Sequence, residues 1–108
     1  MRQWVIKVRY LVYFEVSTEV GNHLDFEEGG PGKIFGYLMS RFAPEAVYTE
    51  AGTRNVFMVA DLNEAQMTEL MLIVSKKLGT YPEFTPLILG EATPGIAAKA
   101  IEEAKKAP

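Results

Sequence analysis

Few side chains in this sequence have the chemistry of a catalytic or ligand-binding group. The single histidine, His23, stands in a glycine-rich stretch beside Asp25, Glu27 and Glu28. Because the pKa of imidazole lies near neutrality, His23 is a candidate general base, although a solvated loop histidine is the commoner interpretation. One histidine with flexible carboxylates is a poor ligand set, so we predict no metal site.

A second polar group follows the first apolar segment of the chain. If this segment is a strand, four polar residues share one of its faces: Lys7, Arg9, Tyr13 and Glu15. Inside a cavity, Lys7 or Arg9 would bind a carboxylate and Tyr13 would orient a carbonyl or phenol. Alternatively, Lys7, Arg9 and Glu15 form ion pairs at the rim of a dimer, with Glu45 or Glu50 as partners, which is the interpretation we favour slightly.

Composition narrows the class of protein. The chain has 108 residues, 48% of them hydrophobic, no cysteine and a formal net charge of −3. It predicts one globular domain without disulfides, and its charge disfavours binding to duplex nucleic acid. The apolar start is interrupted by charges, unlike a signal peptide, and no run of about 20 apolar residues exists. We therefore expect a cytoplasmic protein that binds no membrane.

Hydropathy patterns indicate the elements that position these residues. Strict alternation over residues 4–16 predicts a long strand, and turn residues over 17–33 predict a loop with one helical turn near 23–28. Apolar residues from Ile34 to Phe42 recur at helical spacing. We expect the glycines of 29–32 to act as a hinge or lid beside a cavity mouth, because the segment lacks a phosphate-binding motif.

The second half predicts a hairpin, a helix and a strand. Segments 45–50 and 54–60 flank a Gly52 turn, and Arg54 is expected to pair with Glu50 on the surface. Asn63 and Gln66 form a capping box for a helix that ends before Gly79. Residues 84–89 predict a fourth strand, which Pro86 places at an edge, and a final helix covers about 93–106.

The order β-α-β-β-α-β predicts an α+β fold of the ferredoxin-like type, with two helices on one face of an antiparallel sheet. One domain spans 1–108, with its core over about 4–90. Apolar residues occur on both faces of the strands, including Leu87 and Leu89 in the fourth. We therefore predict a homodimer through the open face, since the alternative, covering by the C-terminal helix, offers few large apolar side chains.

With this element order, the hairpin TEAGTRNVFMVADLNEAQ and the strand FTPLIL, the chain resembles the dimeric α/β-barrel superfamily over residues 4–89. In that superfamily two ferredoxin-like sheets face one another to form a barrel. Members include stress-responsive barrel proteins, muconolactone isomerase-like enzymes and cofactor-independent monooxygenases. The resemblance implies a ligand cavity in the barrel or between sheet and helices. It assigns no residue to catalysis.

Two functions follow as hypotheses. The first is a small-molecule binding protein that holds an apolar, fatty-acid-like or aromatic ligand with a carboxylate or carbonyl end. The second is a cofactor-independent isomerase or monooxygenase, in which His23 or Tyr13 would act; whether the protein is an enzyme stays open, as does a purely structural dimer. No cofactor is predicted. The proposed ligand-binding residues are Lys7, Arg9, Tyr13, Met39 and Met58, the methionines being packing residues in the commoner case.

Overall fold

A computed structural model describes residues 6–108 as a mixed α+β fold with an open, four-stranded antiparallel sheet. The strand order is β2-β3-β1-β4, with β1 and β3 in the centre. The strands are β1 Val8–Phe14, β2 Ala46–Thr49, β3 Val56–Leu62 and β4 Glu83–Pro86. The helices are α1 Thr18–Asn22, α2 Gly32–Phe42, α3 Glu64–Leu78 and α4 Thr93–Ala104.

The first strand of the structure, β1, is shorter than the strand that the alternation predicts over residues 4–16. Residues 4 and 5 of the prediction lie outside the described residues, and the described strand is Val8–Phe14. The period-two pattern is confirmed within it, because Val12 and Phe14 are buried whereas Arg9 lies on the opposite face. Lys7 precedes the strand and is exposed.

One face of the sheet carries the core. In β3, alternate residues Val56, Met58 and Ala60 are each 1% exposed. Helices α2 and α3 cover this face, and Phe14 of β1 stacks on Phe35 of α2 with ring centroids 6.4 Å apart. Burial of apolar surface stabilises such a layer by roughly 25 cal/mol per Å².

Local signals fix the bounds of α3. The Asn63 side chain accepts a hydrogen bond from the backbone N–H of Gln66, and the Gln66 side chain accepts one from Asn63, which confirms the predicted capping box. Gly79 ends the helix with φ of 69°, a left-handed conformation that glycine adopts without strain. Near the middle of α3, Glu69 binds Arg41 of α2 through two hydrogen bonds of 2.6 and 2.8 Å, which lower the pKa of Glu69.

The segment predicted as a loop over 17–33 is more ordered than expected. Ser17 caps α1 by accepting a hydrogen bond from Val20 N–H. A single π-helical turn, His23–Glu27, follows and confirms the predicted helical turn near 23–28. Gly29 and Gly30 then adopt φ of 79° and 107°, which frees the chain to turn into α2. The predicted loop is therefore wrong for residues 18–22.

Beyond the sheet the chain extends away from the domain. The predicted fourth strand is wrong beyond Pro86, although Leu87 N–H still donates to the Arg9 carbonyl at 2.8 Å. Every residue from 88 to 108 is exposed, so α4 does not cover the open face of the sheet. The radius of gyration is 17.4 Å, against about 13 Å for a compact chain of this length.

Among residues 6–108 no helix combines the length and apolarity that crossing a membrane requires.

Candidate functional site

The open face of the sheet is the first candidate site. We define it by the side chains that point away from α2 and α3: Arg9, Leu11 and Tyr13 of β1, Phe57, Val59 and Asp61 of β3, Ala46 and Tyr48 of β2, and Glu83 and Thr85 of β4. Its centre is apolar and half-buried, and Tyr13 lies against Phe57 with ring centroids 4.7 Å apart. β4 ends at Pro86, so the two residues that it adds to this face are polar, whereas the predicted Leu87 and Leu89 lie beyond its end.

Arg9 occupies one end of the open face. Its guanidinium donates to Asp61 at 3.1 Å and lies 3.2 Å from Glu45, both within the same chain. The hydrogen bond to Asp61, followed by the attraction of both carboxylates, raises the pKa of Arg9. A ligand carboxylate at Arg9 would therefore have to displace or share one of these two partners. The expected pairing with Glu45 needs no second copy of the chain.

Tyr13 occupies the other end of the open face. Its hydroxyl accepts a hydrogen bond from Asn55 Nδ2 at 3.1 Å and donates to Glu15 at 3.4 Å. Asn55 Oδ1 in turn accepts from Val16 N–H at 3.0 Å, which fixes the amide. Burial, with a smaller contribution from the charge of Glu15, raises the pKa of Tyr13, so the phenol is held neutral and is a hydrogen-bonding group rather than a base.

The second candidate site is a cleft of about 1330 Å³ on the helix side of the domain. It lies between the segment of α1 with the π turn and the pair α2–α3. Apolar side chains line it from both sides, and charged side chains surround them. The lining residues used below are Val20, Leu24, Phe26, Ile34, Tyr37 and Ile73, with His23, Glu19, Glu27, Glu28, Lys33, Lys76 and Lys77.

Arg54 holds in place the outer wall of this cleft, which we define as α1 with the π turn, residues 18–27. Its guanidinium donates to Asp25 and to the Asn22 side chain, both at 2.8 Å. The predicted pair with Glu50 is therefore wrong, because α1 and the π turn bring Asp25 to Arg54. Gly21 makes this approach possible, since a Cβ there would lie 2.2 Å from Arg54 Cδ. A sequence cannot show such contacts across 29 residues.

His23 lines the cleft but is already engaged. Its Nδ1 contacts Glu27, and its Nε2 lies 3.5 Å from Glu28. The hydrogen bond to Glu27 is the largest cause that raises the pKa of His23, so the protonated ring is favoured. Because the raised pKa increases the protonated fraction of His23 at a given pH, less of the neutral ring is available as a general base. His23 and Tyr13 lie on opposite sides of the sheet and do not form one catalytic pair.

The two methionines predicted as ligand-binding residues lie in different surroundings: one is in the core and the other is on the surface. Met58 is part of the core beneath α2 and α3, whereas Met39 is 49% exposed on α2. Neither methionine lies on the open face or lines the cleft. Phe26, Lys76 and Lys77 line the cleft but are not among the residues that the sequence predicts for a site. Among residues 6–108 no three His, Cys, Asp or Glu side chains form a group able to hold a metal ion.

These features define a small α+β domain with one helix-covered sheet face, one open face, and a cleft bounded by charged residues on the helix side. Comparison with protein-family models, with curated proteins and with solved structures finds no match for the chain.

Proposed function

We propose that the protein is a homodimeric α/β barrel that binds a small apolar molecule bearing a carboxylate or carbonyl end. The observation that carries this proposal is the open face: its apolar centre, formed by Leu11, Tyr13, Phe57 and Val59, has no covering layer within residues 6–108. Soluble proteins rarely leave such a patch uncovered, and a two-fold axis lets two identical patches cover each other.

The strand order supports the barrel arrangement. An antiparallel sheet ordered β2-β3-β1-β4, with α2 and α3 on one face, is the order expected of a ferredoxin-like domain. The partner's open face would then supply the missing layer. Since α4 lies away from the sheet, it leaves this face accessible.

The ligand class follows from what the barrel interior would contain. Aromatic and aliphatic side chains would contact an apolar body. The Tyr13 hydroxyl would donate to a carbonyl oxygen in exchange for its long hydrogen bond to Glu15, while it still accepts from Asn55. Arg9 would bind a carboxylate in exchange for its contact with Glu45 or Asp61. The alternative, a cofactor-independent isomerase or monooxygenase, has less support because His23 and Tyr13 are on opposite sides of the sheet.

Light scattering across a dilution series tests the dimer. We expect about twice the 12.0 kDa chain mass for the parent protein, and monomer for Phe57→Glu, because a charge would be buried at the interface centre. Tyr48→Glu, at a side chain 64% exposed, makes the same test without disturbing the core. The matched control is Phe26→Glu on the helix side, which should remain dimeric. A monomeric parent protein at high concentration would refute the dimer.

Native mass spectrometry of gently purified protein tests the ligand. An adduct that disappears on denaturation and is lost from Arg9→Gln would support binding at the open face. An adduct retained by Arg9→Gln and by the monomeric Phe57→Glu would place the ligand elsewhere and contradict this part of the proposal.

A further inference from the structure

We propose that the cleft between α1 with the π turn and α2–α3 is a separate binding site for an elongated apolar molecule with one anionic head. The site lies on the helix side, within a single chain, and needs neither the dimer nor the open face. The charge of the cleft favours an anionic head group over a neutral or cationic one.

The apolar lining supports an apolar body. Four apolar side chains of the lining are partly buried and pack against the core: Val20 and Leu24 from the outer side, and Ile34 and Ile73 from α2 and α3. Phe26, in the π turn, is 81% exposed at the edge of the same cleft. An exposed phenylalanine beside an open apolar cleft is the side chain that an entering hydrocarbon would cover, with a gain of roughly 25 cal/mol per Å² buried.

The charge distribution selects the head group. Lys33 comes from the first turn of α2, and Lys76 and Lys77 come from the last turn of α3. Within residues 6–108 none of these three lysines lies at salt-bridge distance from a carboxylate. They form a basic wall facing a partly apolar space, which attracts an anion.

The acidic residues of the cleft belong to the opposite wall. Glu27 and Glu28 contact His23, so their charges are partly compensated by the protonated imidazole. Glu19 in α1 is the remaining carboxylate of the lining. An anionic head would therefore bind at the lysine wall on α2 and α3, with its chain directed towards Phe26 and Leu24.

The volume is consistent with an elongated ligand and a small closure of the outer wall. Typical small-molecule pockets measure about 300–1,000 Å³, and this cleft of about 1330 Å³ is larger. Gly29 and Gly30, both in positive-φ conformations with no neighbour within 4 Å of an added Cβ, connect the outer wall to α2. Rotation about these glycines would bring the π turn closer to a bound chain.

Titration with dodecanoate, followed by amide chemical shifts and calorimetry, tests the site. We expect the largest shifts in residues 20–37 and 73–78, and much weaker binding of dodecyltrimethylammonium, which has the same chain and a cationic head. Replacing Lys33, Lys76 and Lys77 together by Gln should weaken dodecanoate binding about tenfold. This estimate assumes that each exposed charge contact contributes about 0.5 kcal/mol. The matched control replaces Lys99, Lys105 and Lys106 of the C-terminal segment by Gln and should change nothing.

Phe26→Ser separates the apolar part of the site from the charged part. It should weaken the binding of both dodecyl probes, because it removes a contact with the chain that they share. Equal binding of the two probes, no measurable binding of dodecanoate, or shifts confined to the open face would each overturn the proposal. None of these results depends on the oligomeric state, so failure here is distinct from failure of the dimer.

Discussion

The two faces of the sheet are built from adjacent residues of the same strands, yet their surroundings differ. In β3, Met58 is 1% exposed beneath α2 and α3, whereas its neighbour Phe57 is only half-buried on the open face. Both faces are apolar at their centres. The difference arises because residues 6–108 supply two long helices, α2 and α3, for one face and no helix for the other. Apolar character therefore marks a surface to be covered, whereas the fold decides whether an element of the same chain covers it.

The largest effect should come from the covered face. Met58→Ala is expected to lower the free energy of unfolding by about 2–5 kcal/mol, because it leaves a cavity in a close-packed core. Chemical denaturation measures this change. Phe57→Ala is the matched substitution on the open face and should cost less at low protein concentration. Its cost should grow with concentration if the open face binds a second copy. Equal, concentration-independent costs would remove the distinction between the faces.

A smaller effect should come from the outer wall that lies beside the covered face. Gly21→Ala places a Cβ against Arg54 and should displace its guanidinium from Asp25 and Asn22. We expect a loss of about 0.5–1 kcal/mol, because the contacts that are lost are partly exposed, and faster amide exchange in residues 18–27. Gly36→Ala in α2 is the control, since its Cβ would meet nothing within 4 Å. It should stabilise the protein by about 0.5–1 kcal/mol, and the same loss at both positions would contradict the clamp by Arg54.

The exposed helix α4 should contribute least to the stability of one chain. Ile101→Ala is expected to change the free energy of unfolding by no more than about 0.5 kcal/mol, because Ile101 is exposed. Ile73→Ala in α3 is the matched change at a side chain packed against the core and should cost about 1–2 kcal/mol. A larger loss for Ile101→Ala in dilute protein would show that α4 packs on its own domain.

The smallest expected effect is the pH dependence of the π turn, which tests the contact between His23 and Glu27. Because Glu27 raises the pKa of His23, this contact stabilises the turn fully below the unfolded-state pKa of about 6.5 and is lost as the pH rises through the folded-state pKa. The single imidazole gives one NMR titration, whose midpoint should lie above 6.5. Glu27→Gln should lower this midpoint, whereas Glu19→Gln should leave it almost unchanged. An unchanged midpoint in Glu27→Gln would rule out the contact.

The sequence predicts those features that depend on neighbouring residues. The capping box at Asn63, the glycine after α3 and the two-sided apolar pattern of β3 are all set within a few positions, and the structure agrees. The apolar patterns predict bounds for β1 and β4 that are too long, because apolar residues continue past the ends of the described strands Val8–Phe14 and Glu83–Pro86. Helix α1 was missed because it has only five residues and stands among turn-forming ones.

The candidate sites depend on contacts that sequence spacing does not show. Arg54 reaches Asp25 and Asn22 only because α1 folds back against the hairpin. Lys33 and Lys77 line the same cleft only because α2 and α3 pack side by side. Single residues such as His23 and Arg9 could be selected from their chemistry, but the carboxylates that engage them could not.

The two edge strands, β2 and β4, are short, which disfavours aggregation by strand pairing at the edges of the sheet. Both edges of the sheet are four residues long, and β4 carries Pro86, which lacks an N–H to offer another strand. Edge-to-edge addition of further copies, the geometry of open-ended fibrils, is therefore disfavoured. The proposed association through the open face, about a two-fold axis, would close after two chains. If the open face mediates the proposed dimer, its apolar surface is used up in a finite pair and does not feed a growing polymer.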